Sequence, residues 1–446
     1  MNKQDLCVCL LNDSFPPAID GVANVVQNYA AILSHMEDCS SVVVTPMWPE
    51  SDDSSLDYPV IRYPSIDTRK QIGYVTGLPL NPKVLAELKK YPVNLLHVHC
   101  PTVSLLIARQ LREILHVPII FTYHTKYDID IRRAISLKTV QEKLIEAMIE
   151  NIEACDEVWV VSEGAGENLR SLGYRGEYIV MNNGVDLPKG KADDEKVREA
   201  VKGYDLPEGV PVFLFAGRML WYKGQRIILE ALEGLHSQKI DFRMVFIGGG
   251  EDLEAIRKLA DELGLSKKVI FTGPVRDRET IRAWYTRSDL FLFPSTFDTN
   301  GLVVREAAAC GTASVLIKDS CAAEGTEDGR NTFLISGTPA SLAVKLTELC
   351  AHPEMMKTAG EHACEDLYLS WDDAVMKGYE RYCTVVRKYA NGEYPEDHMT
   401  IQEEMLKSAG EVTELGAELY DSLNELHEYL EETRKNIKET IDRFYF

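Results

Sequence analysis

Asp298 and Glu306 stand eight positions apart in PSTFDTNGLVVREAAACG, residues 294–311, on either side of Gly301. Two carboxyl groups so placed raise the pairing of a general acid with a nucleophile that glycoside hydrolysis uses. Asp298 also has the residue type and place to cap a helix that begins just after it. A second set is basic: in FAGRMLWYKG a strand ends at Gly217, and Arg218 and Lys223 follow on the loop. Two fixed positive charges on one loop suit an anion that gains charge during a reaction. Gly21 in PPAIDGVANVV opens a helix whose free amides favour an anion, with Asp20 beside it. His124 in FTYHTKYDIDIRR follows the strand PIIFTY, and His97 and His99 alternate along LLHVHC before it.

These residues need a frame that brings strand ends together. Short apolar strands alternate with amphipathic helices along the chain, the pattern of βαβ units and a parallel sheet. LCVCLLND, SVVVTP, LLHVHC, PIIFTYHT and VWVVSE make one series; VFLFAGR, MVFIGGG, VIFTGPV, LFLFPST, SVLIKDS and TFLIS make another. The fold class is therefore α/β, with two doubly wound Rossmann-like domains facing a cleft. We expect domain one over residues 1–190, domain two over 191–370, a helix crossing back over 371–390 and a helical tail over 391–446, with the boundary in the charged stretch at 188–199. In such sheets ligands bind beyond the carboxyl ends of the strands, which is where the residues above fall.

With 446 residues, 45% hydrophobic and 26% charged, the composition is that of a globular protein with more than one core. The apolar run after the N-terminus is too short for a signal peptide or a membrane span, so a cytoplasmic protein is expected. Ten scattered cysteines, without zinc spacing, are read as buried thiols. The net charge of -22 argues against nucleic acid as a partner. Residues 391–446 carry fifteen Asp and Glu against five Lys and Arg.

The order of these motifs resembles the family 4 retaining glycosyltransferases of the GT-B fold. The likeness runs over about residues 5–388, through PPAIDGVANVV, FTYHT, NNGVD at 182–186, FAGRMLWYKG, FIGGGE, FTGPV and the acid pair. It implies a nucleotide-sugar donor, no cofactor and no metal. Arg218 and Lys223 would hold the leaving diphosphate, with Gly217 ending the strand before them and Gly21 offering an approach from the other domain. Glu306 would accept hydrogen bonds from the ribose, and Asp298 would contact hydroxyls of the transferred sugar. Backbone amides of Asn300, Gly301 and Leu302 would serve the same sugar and phosphates. His124 would meet the sugar near the reacting centre, and Glu251 and Arg276 would lie near the base and ribose. The family motif usually has Glu at the position of Asp298, which leaves sugar preference open. The glycosidase reading of the acid pair then falls away, because the resemblance implies front-face transfer carried by positioning and electrostatics.

The form STxxTxGLVVxEA and Tyr127 beside FTYHT resemble members that glucosylate diacylglycerol. The resemblance thus implies a hexose, UDP-linked glucose, and a membrane-lipid acceptor met at the inner face of the membrane. KYDIDIRRAISLKTVQEKL mixes Lys and Arg with Ile and Leu, as an interfacial patch does, and QIGYVTGLPL at 71–80 would line the acceptor's entry. A solvated helix face, a soluble or polysaccharide acceptor, and an inactive partner subunit remain open. In the tail, Val412, Leu415, Leu419, Leu423, Leu426 and Leu430 recur at helical spacing. That stripe would pack on the chain's own surface or form a homodimer seam.

Overall fold

The computed structural model describes residues 6–18, 20–69, 74–78, 82–296 and 298–394. The tail beyond 394, the dimer seam expected of it, and residues 71–73, 79 and 80 of the expected acceptor loop lie outside the described residues. The chain divides into two units. Of the described residues, those up to Val160, Asn168–Ile179 and those from Val375 onward form the first; Val161–Glu167 and Val180–Ala374 form the second.

In the first unit lie β1 (Leu6–Leu11), β2 (Cys39–Pro46) and β3 (Val60–Tyr63), then a small antiparallel ribbon of β4 (Ser65–Ile66) and β5 (Thr76–Gly77). β6 (Leu95–Val98), β7 (Ile119–Tyr123) and β8 (Glu157–Val160) follow, and β9 (Ile179–Val180) ends the series where the chain passes to the other unit. The strand order is β3-β2-β1-β6-β7-β8-β9, with parallel pairing from β3 across to β8. All six residues of β1, LCVCLL, are buried. A parallel strand covered by helices on both faces reads as an unbroken apolar run, and β1 is such a strand. VIRY of β3, on the sheet edge, instead alternates half-buried and buried positions, and that weak signal left it unmarked in the sequence. Helix Gly21–Ser34 turns Ala23, Val25, Val26, Tyr29, Ala30 and Leu33 inward at three- and four-residue steps.

The second unit repeats the plan with β10 (Val212–Ala216), β11 (Arg243–Ile247), β12 (Val269–Gly273), β13 (Leu290–Phe293), β14 (Ser314–Ile317) and β15 (Thr332–Ile335). Their order is β12-β11-β10-β13-β14-β15, all parallel. The charged stretch at 188–199 belongs to this unit; Asp194–Ala200 within it is a helix, and the Ala192 amide donates to Thr286 Oγ1 at 2.9 Å. Helix Trp371–Ala390 starts in the second unit and belongs to the first from Val375 on. There Tyr382 stacks on Trp159, and Arg381 grips the Glu157 carboxylate from Nε at 2.8 and 3.0 Å.

Strand order reverses between β1 and β6 in one sheet and between β10 and β13 in the other. At such a switch point the two flanking connections leave to opposite faces and open a crevice at the carboxyl ends.

Candidate functional site

At the switch point of the second sheet, the chain leaving β10 runs through Gly217 and Arg218 into a short 3-10 turn, Trp221–Lys223. Gly224 ends that turn at φ 92°, and a Cβ on it would lie 2.2 Å from the carbonyl oxygen of Pro294, just past β13. The β10 loop can therefore sit on the β13 loop only with glycine there. That contact sets Lys223 against Asp298. Their Nζ and Oδ2 are 3.0 Å apart, with the side chains 15% and 19% exposed, and the ammonium also lies over the Phe293 ring at 5.6 Å. The other oxygen of Asp298 accepts from the amides of Asn300 at 3.1 Å and Gly301 at 2.6 Å. Burial pushes the Asp298 pKa up, but Lys223 and these amides outweigh it and hold the carboxyl below its ordinary value.

Two expectations need correction here. Asp298 is not the cap of helix Leu302–Ala309: Gly301, at φ 61°, holds that position, and Asp298 instead ties the turn before it. Nor are the amides of Asn300 and Gly301 open to a sugar or phosphate, because the Asp298 carboxylate occupies them. Only the Leu302 amide, in the first turn of the helix, has no partner among the described residues.

Glu306 lies one turn further along. Its two oxygens accept from Arg278 Nη2 at 2.7 Å and from the Tyr285 hydroxyl at 3.2 Å. Arg278 also reaches Asp186 at 3.6 Å, and Asp186 accepts from the Trp371 indole at 2.7 Å. The Glu306 side chain is 14% exposed, so its remaining lone pairs can still take hydroxyl donors. Burial, then the Glu306 charge, pushes the Tyr285 phenol well above its usual range, so it donates rather than ionises. Sequence reasoning named Arg276 and passed over Arg278, which faces the acid; Asp186, inside the quoted NNGVD, was the available signal. Arg276 and Glu251 are exposed, on the loops after β12 and β11 of the same sheet. Arg218 is exposed too, with no acid in ion-pair range among the described residues.

In the first unit, the N-terminus of helix Gly21–Ser34 is already occupied. Asp20 caps it, its Oδ1 accepting from the Ala23 amide at 2.8 Å. The expected free amides facing an anion are thus reduced by an acid of the chain itself. A Cβ on Gly21 would meet nothing within 4 Å, so packing does not demand glycine there. Asp13, after β1, accepts from the Val103 amide at 3.1 Å and the Ser104 amide at 2.8 Å, at the start of helix Val103–Leu115. His97 is sealed in the core: Nδ1 meets the Tyr382 hydroxyl at 2.5 Å and Nε2 meets Thr122 Oγ1 at 2.7 Å. His124 shares a 2.9 Å hydrogen bond through Nε2 with Nδ1 of His99, the rings stacked. Burial drives the His124 pKa down to about 3 and that of His99 well below the ordinary value, so both are neutral at physiological pH. The Tyr127 hydroxyl donates to the His99 carbonyl at 3.3 Å.

All ten cysteines are free thiols. Among the described residues no three His, Cys, Asp or Glu side chains converge as metal ligands, and no helix is long and apolar enough to cross a membrane. What the second unit does offer is a loop cluster able to take a diphosphate on Arg218 and Lys223 and hydroxyls on Asp298 and Glu306.

Comparison with known proteins agrees with this arrangement. The model of Glycosyltransferase Family 4 matches residues 19–189, and that of glycosyl transferases group 1 matches residues 196–366. A D-inositol 3-phosphate glycosyltransferase of Catenulispora acidiphila is 30% identical over 263 residues, 56% of this chain and 61% of that protein. The chain thus matches less than two thirds of that relative's length. An alpha-monoglucosyldiacylglycerol synthase of Acholeplasma laidlawii is 23% identical over 394 residues, 82% of this chain and 97% of the relative. Anabaena Alr3699/HepE in complex with UDP superposes with a TM-score of 0.67 at 17% identity, covering 85% of this chain and 100% of that one, which shows a shared fold. With both Rossmann-like halves matched in order and the group 1 residues gathered at the second switch point, the chain belongs to the family 4 glycosyltransferases of GT-B fold.

Proposed function

We propose that this glycosyltransferase moves glucose from UDP-glucose, with retention of configuration, to a membrane lipid of the diacylglycerol class. The observation that carries the donor half is the cluster at the β10/β13 switch point, where Arg218, Lys223 and Asp298 stand on adjoining loops and Glu306 on the helix that follows. Breaking the anomeric bond puts charge on the leaving diphosphate. Arg218, with no acid in ion-pair range among the described residues, and Lys223, whose bond to Asp298 can be exchanged for a phosphate oxygen, meet that charge. Glu306, pinned by Arg278 and Tyr285, presents its free lone pairs to ribose hydroxyls. A leaving-group oxygen assists removal of the acceptor's proton, and the scheme uses no metal. Neutral His124 serves as a hydrogen-bonding group rather than a base.

The acceptor half rests on two supports. The Acholeplasma relative is named as a synthase of a glucosyl diacylglycerol. Helix Lys138–Glu153 has two apolar faces: Ile145, Met148, Ile149 and Ile152 point inward, while Val140 and Leu144, with Leu137 just before the helix, are exposed at 41%, 43% and 66%. Lys138 and Lys143 flank that outer stripe, paired at 3.8 and 2.6 Å with Glu142 and Glu146 of the same helix, so the apolar side chains can enter a bilayer surface where lipid phosphates compete for exposed ammonium groups. On this reading the protein is peripheral at the membrane.

A donor panel tests the proposal. UDP-, GDP- and ADP-sugars are supplied with and without diacylglycerol vesicles, and nucleotide release and lipid product are followed. Release from UDP-glucose that rises with vesicles and yields an α-linked glycolipid supports it. Vesicle-independent release rejects the lipid acceptor, and no release from any donor rejects transferase activity.

A further inference from the structure

Asn300 occupies the residue between the Asp298 turn and the αL cap Gly301. Its backbone is fixed, the amide donating to Asp298 Oδ1 at 3.1 Å. Its carboxamide is 8% exposed as a residue, and neither Oδ1 nor Nδ2 has a hydrogen-bond partner among the described residues. Among those residues it alone has both ends of a side-chain amide buried and unpaired. A buried polar group left unpaired forfeits its hydration without return, and an apolar residue of the same size would avoid that loss. The group is therefore placed for a partner that arrives from outside the chain.

The chemistry of the carboxamide narrows the partner. It offers one acceptor and two donors at adjacent points. Phosphate oxygens only accept, so Oδ1 would be repelled by a diphosphate, and the cationic Lys223 is the group suited to that role. A sugar hydroxyl both gives and takes, and two neighbouring hydroxyls match Oδ1 and Nδ2 together. Asp298, whose remaining electron pairs lie two residues away, is a second acceptor for the same ring. We propose that the Asn300 side chain is a specificity-determining contact that hydrogen-bonds hydroxyls of the transferred sugar. The proposal rests on the nucleotide-sugar reading above and adds to it a side chain that distinguishes the sugar from the nucleotide.

The test is Asn300→Leu, close in volume and without hydrogen-bonding groups, with Asn300→Ala as a second variant. Equilibrium binding is measured for the matched pairs UDP and UDP-glucose, GDP and GDP-mannose, and ADP and ADP-glucose, together with thermal unfolding. The variants are expected to bind the free nucleotide diphosphate within about twofold of the wild type. They are expected to bind the sugar nucleotide roughly tenfold to a hundredfold more weakly, the scale of one hydrogen-bonding group lost from a polar site. The melting temperature of Asn300→Leu is expected to stay level or rise, since an unpaired buried amide has been removed. Equal weakening of nucleotide and sugar nucleotide, unchanged binding of both, or a marked drop in melting temperature would each overturn the assignment. A wild-type chain that binds no sugar nucleotide overturns this assignment and the transferase reading together, an outcome that no variant result can mimic.

Discussion

The two sheets share one strand order, yet their switch points are finished differently. Beside β1 and β6 the polar groups largely satisfy one another. Asp13 and Asp20 sit on helix N-termini, His97 is closed in by Tyr382 and Thr122, and His124 is paired with His99. Beside β10 and β13, among the described residues, Arg218 is exposed without an acid, the Leu302 amide is open and the Asn300 carboxamide is buried with both ends unpaired. One topology thus yields an end where acids and imidazoles mostly bond within the chain, with Asp20 Oδ2 and His99 Nε2 left over among the described residues, and an end with exposed positive charge and a carboxamide unpaired at both ends. The difference teaches that the strand order supplies a crevice, while the loop residues decide whether it holds a charged ligand.

The contrast breaks most readily at Arg218 and Glu306. Arg218→Ala and Glu306→Ala are each expected to lower kcat/KM by about a hundredfold to a thousandfold, the scale of losing one preorganised electrostatic contact. Circular dichroism should stay unchanged, because Arg218 is exposed and Arg278 keeps Asp186 as a partner. A steady-state assay with the donor selected by the panel decides it; an unaltered rate in either variant removes that residue from the site.

Lys223→Met comes next. It leaves the Asp298 carboxylate largely buried without its ion pair, so denaturant unfolding should show a loss of about 3 kcal/mol. Pairing it with Asp298→Asn should recover most of that loss, because no uncompensated charge then remains. Simple additivity of the two costs would mean that the pair is not coupled.

Acid separates the units by pH window. His124 has a folded pKa of about 3, depressed from its ordinary 6.5, so the unfolded chain binds its proton first. Stability from the neutral His99 and His124 pair is complete above that ordinary value and declines as pH falls toward 3. Asp298 is also depressed, but from a lower starting point, so its contribution is complete above the ordinary carboxylate value of 3.8 and is lost as pH falls below it. Between about pH 6 and pH 4 the first unit should therefore loosen before the second, as read by hydrogen exchange resolved along the chain. His124→Phe should flatten the first unit's response; an unchanged pH profile in that variant would place the acid sensitivity elsewhere.

The smallest effect belongs to the capped helix of the first unit. Asp20→Ala removes the bond to the Ala23 amide and should lower stability by about 1 kcal/mol in thermal unfolding. No loss would mean that the cap contributes nothing there.

Much of the frame was legible in the chain because its signals are local. Fully covered strands such as LCVCLL and VFLFA carry their apolar character in consecutive residues, and helix Gly21–Ser34 carries it at helical spacing. Edge strand β3 was not legible, since four alternating residues resemble a loop. For the candidate site, the types and strand-end places of Arg218, Lys223, Asp298 and Glu306 could be read directly. Their partners could not. Lys223 meets Asp298 across 75 residues, Arg278 meets Glu306 across 28, and His99 meets His124 across 25.

From the sequence by itself came the βαβ alternation, the two series of strands, and the residues able to carry charge to a ligand. Only the tertiary structure decided that Asp298 spends one oxygen on the turn amides, that Asp20 fills its own helix terminus, and that the Asn300 carboxamide is buried with both ends unpaired among the described residues. The reason is physical. Backbone periodicity is fixed by neighbours a few residues away, whereas satisfying a buried polar group depends on which distant loop the sheet order lays beside it.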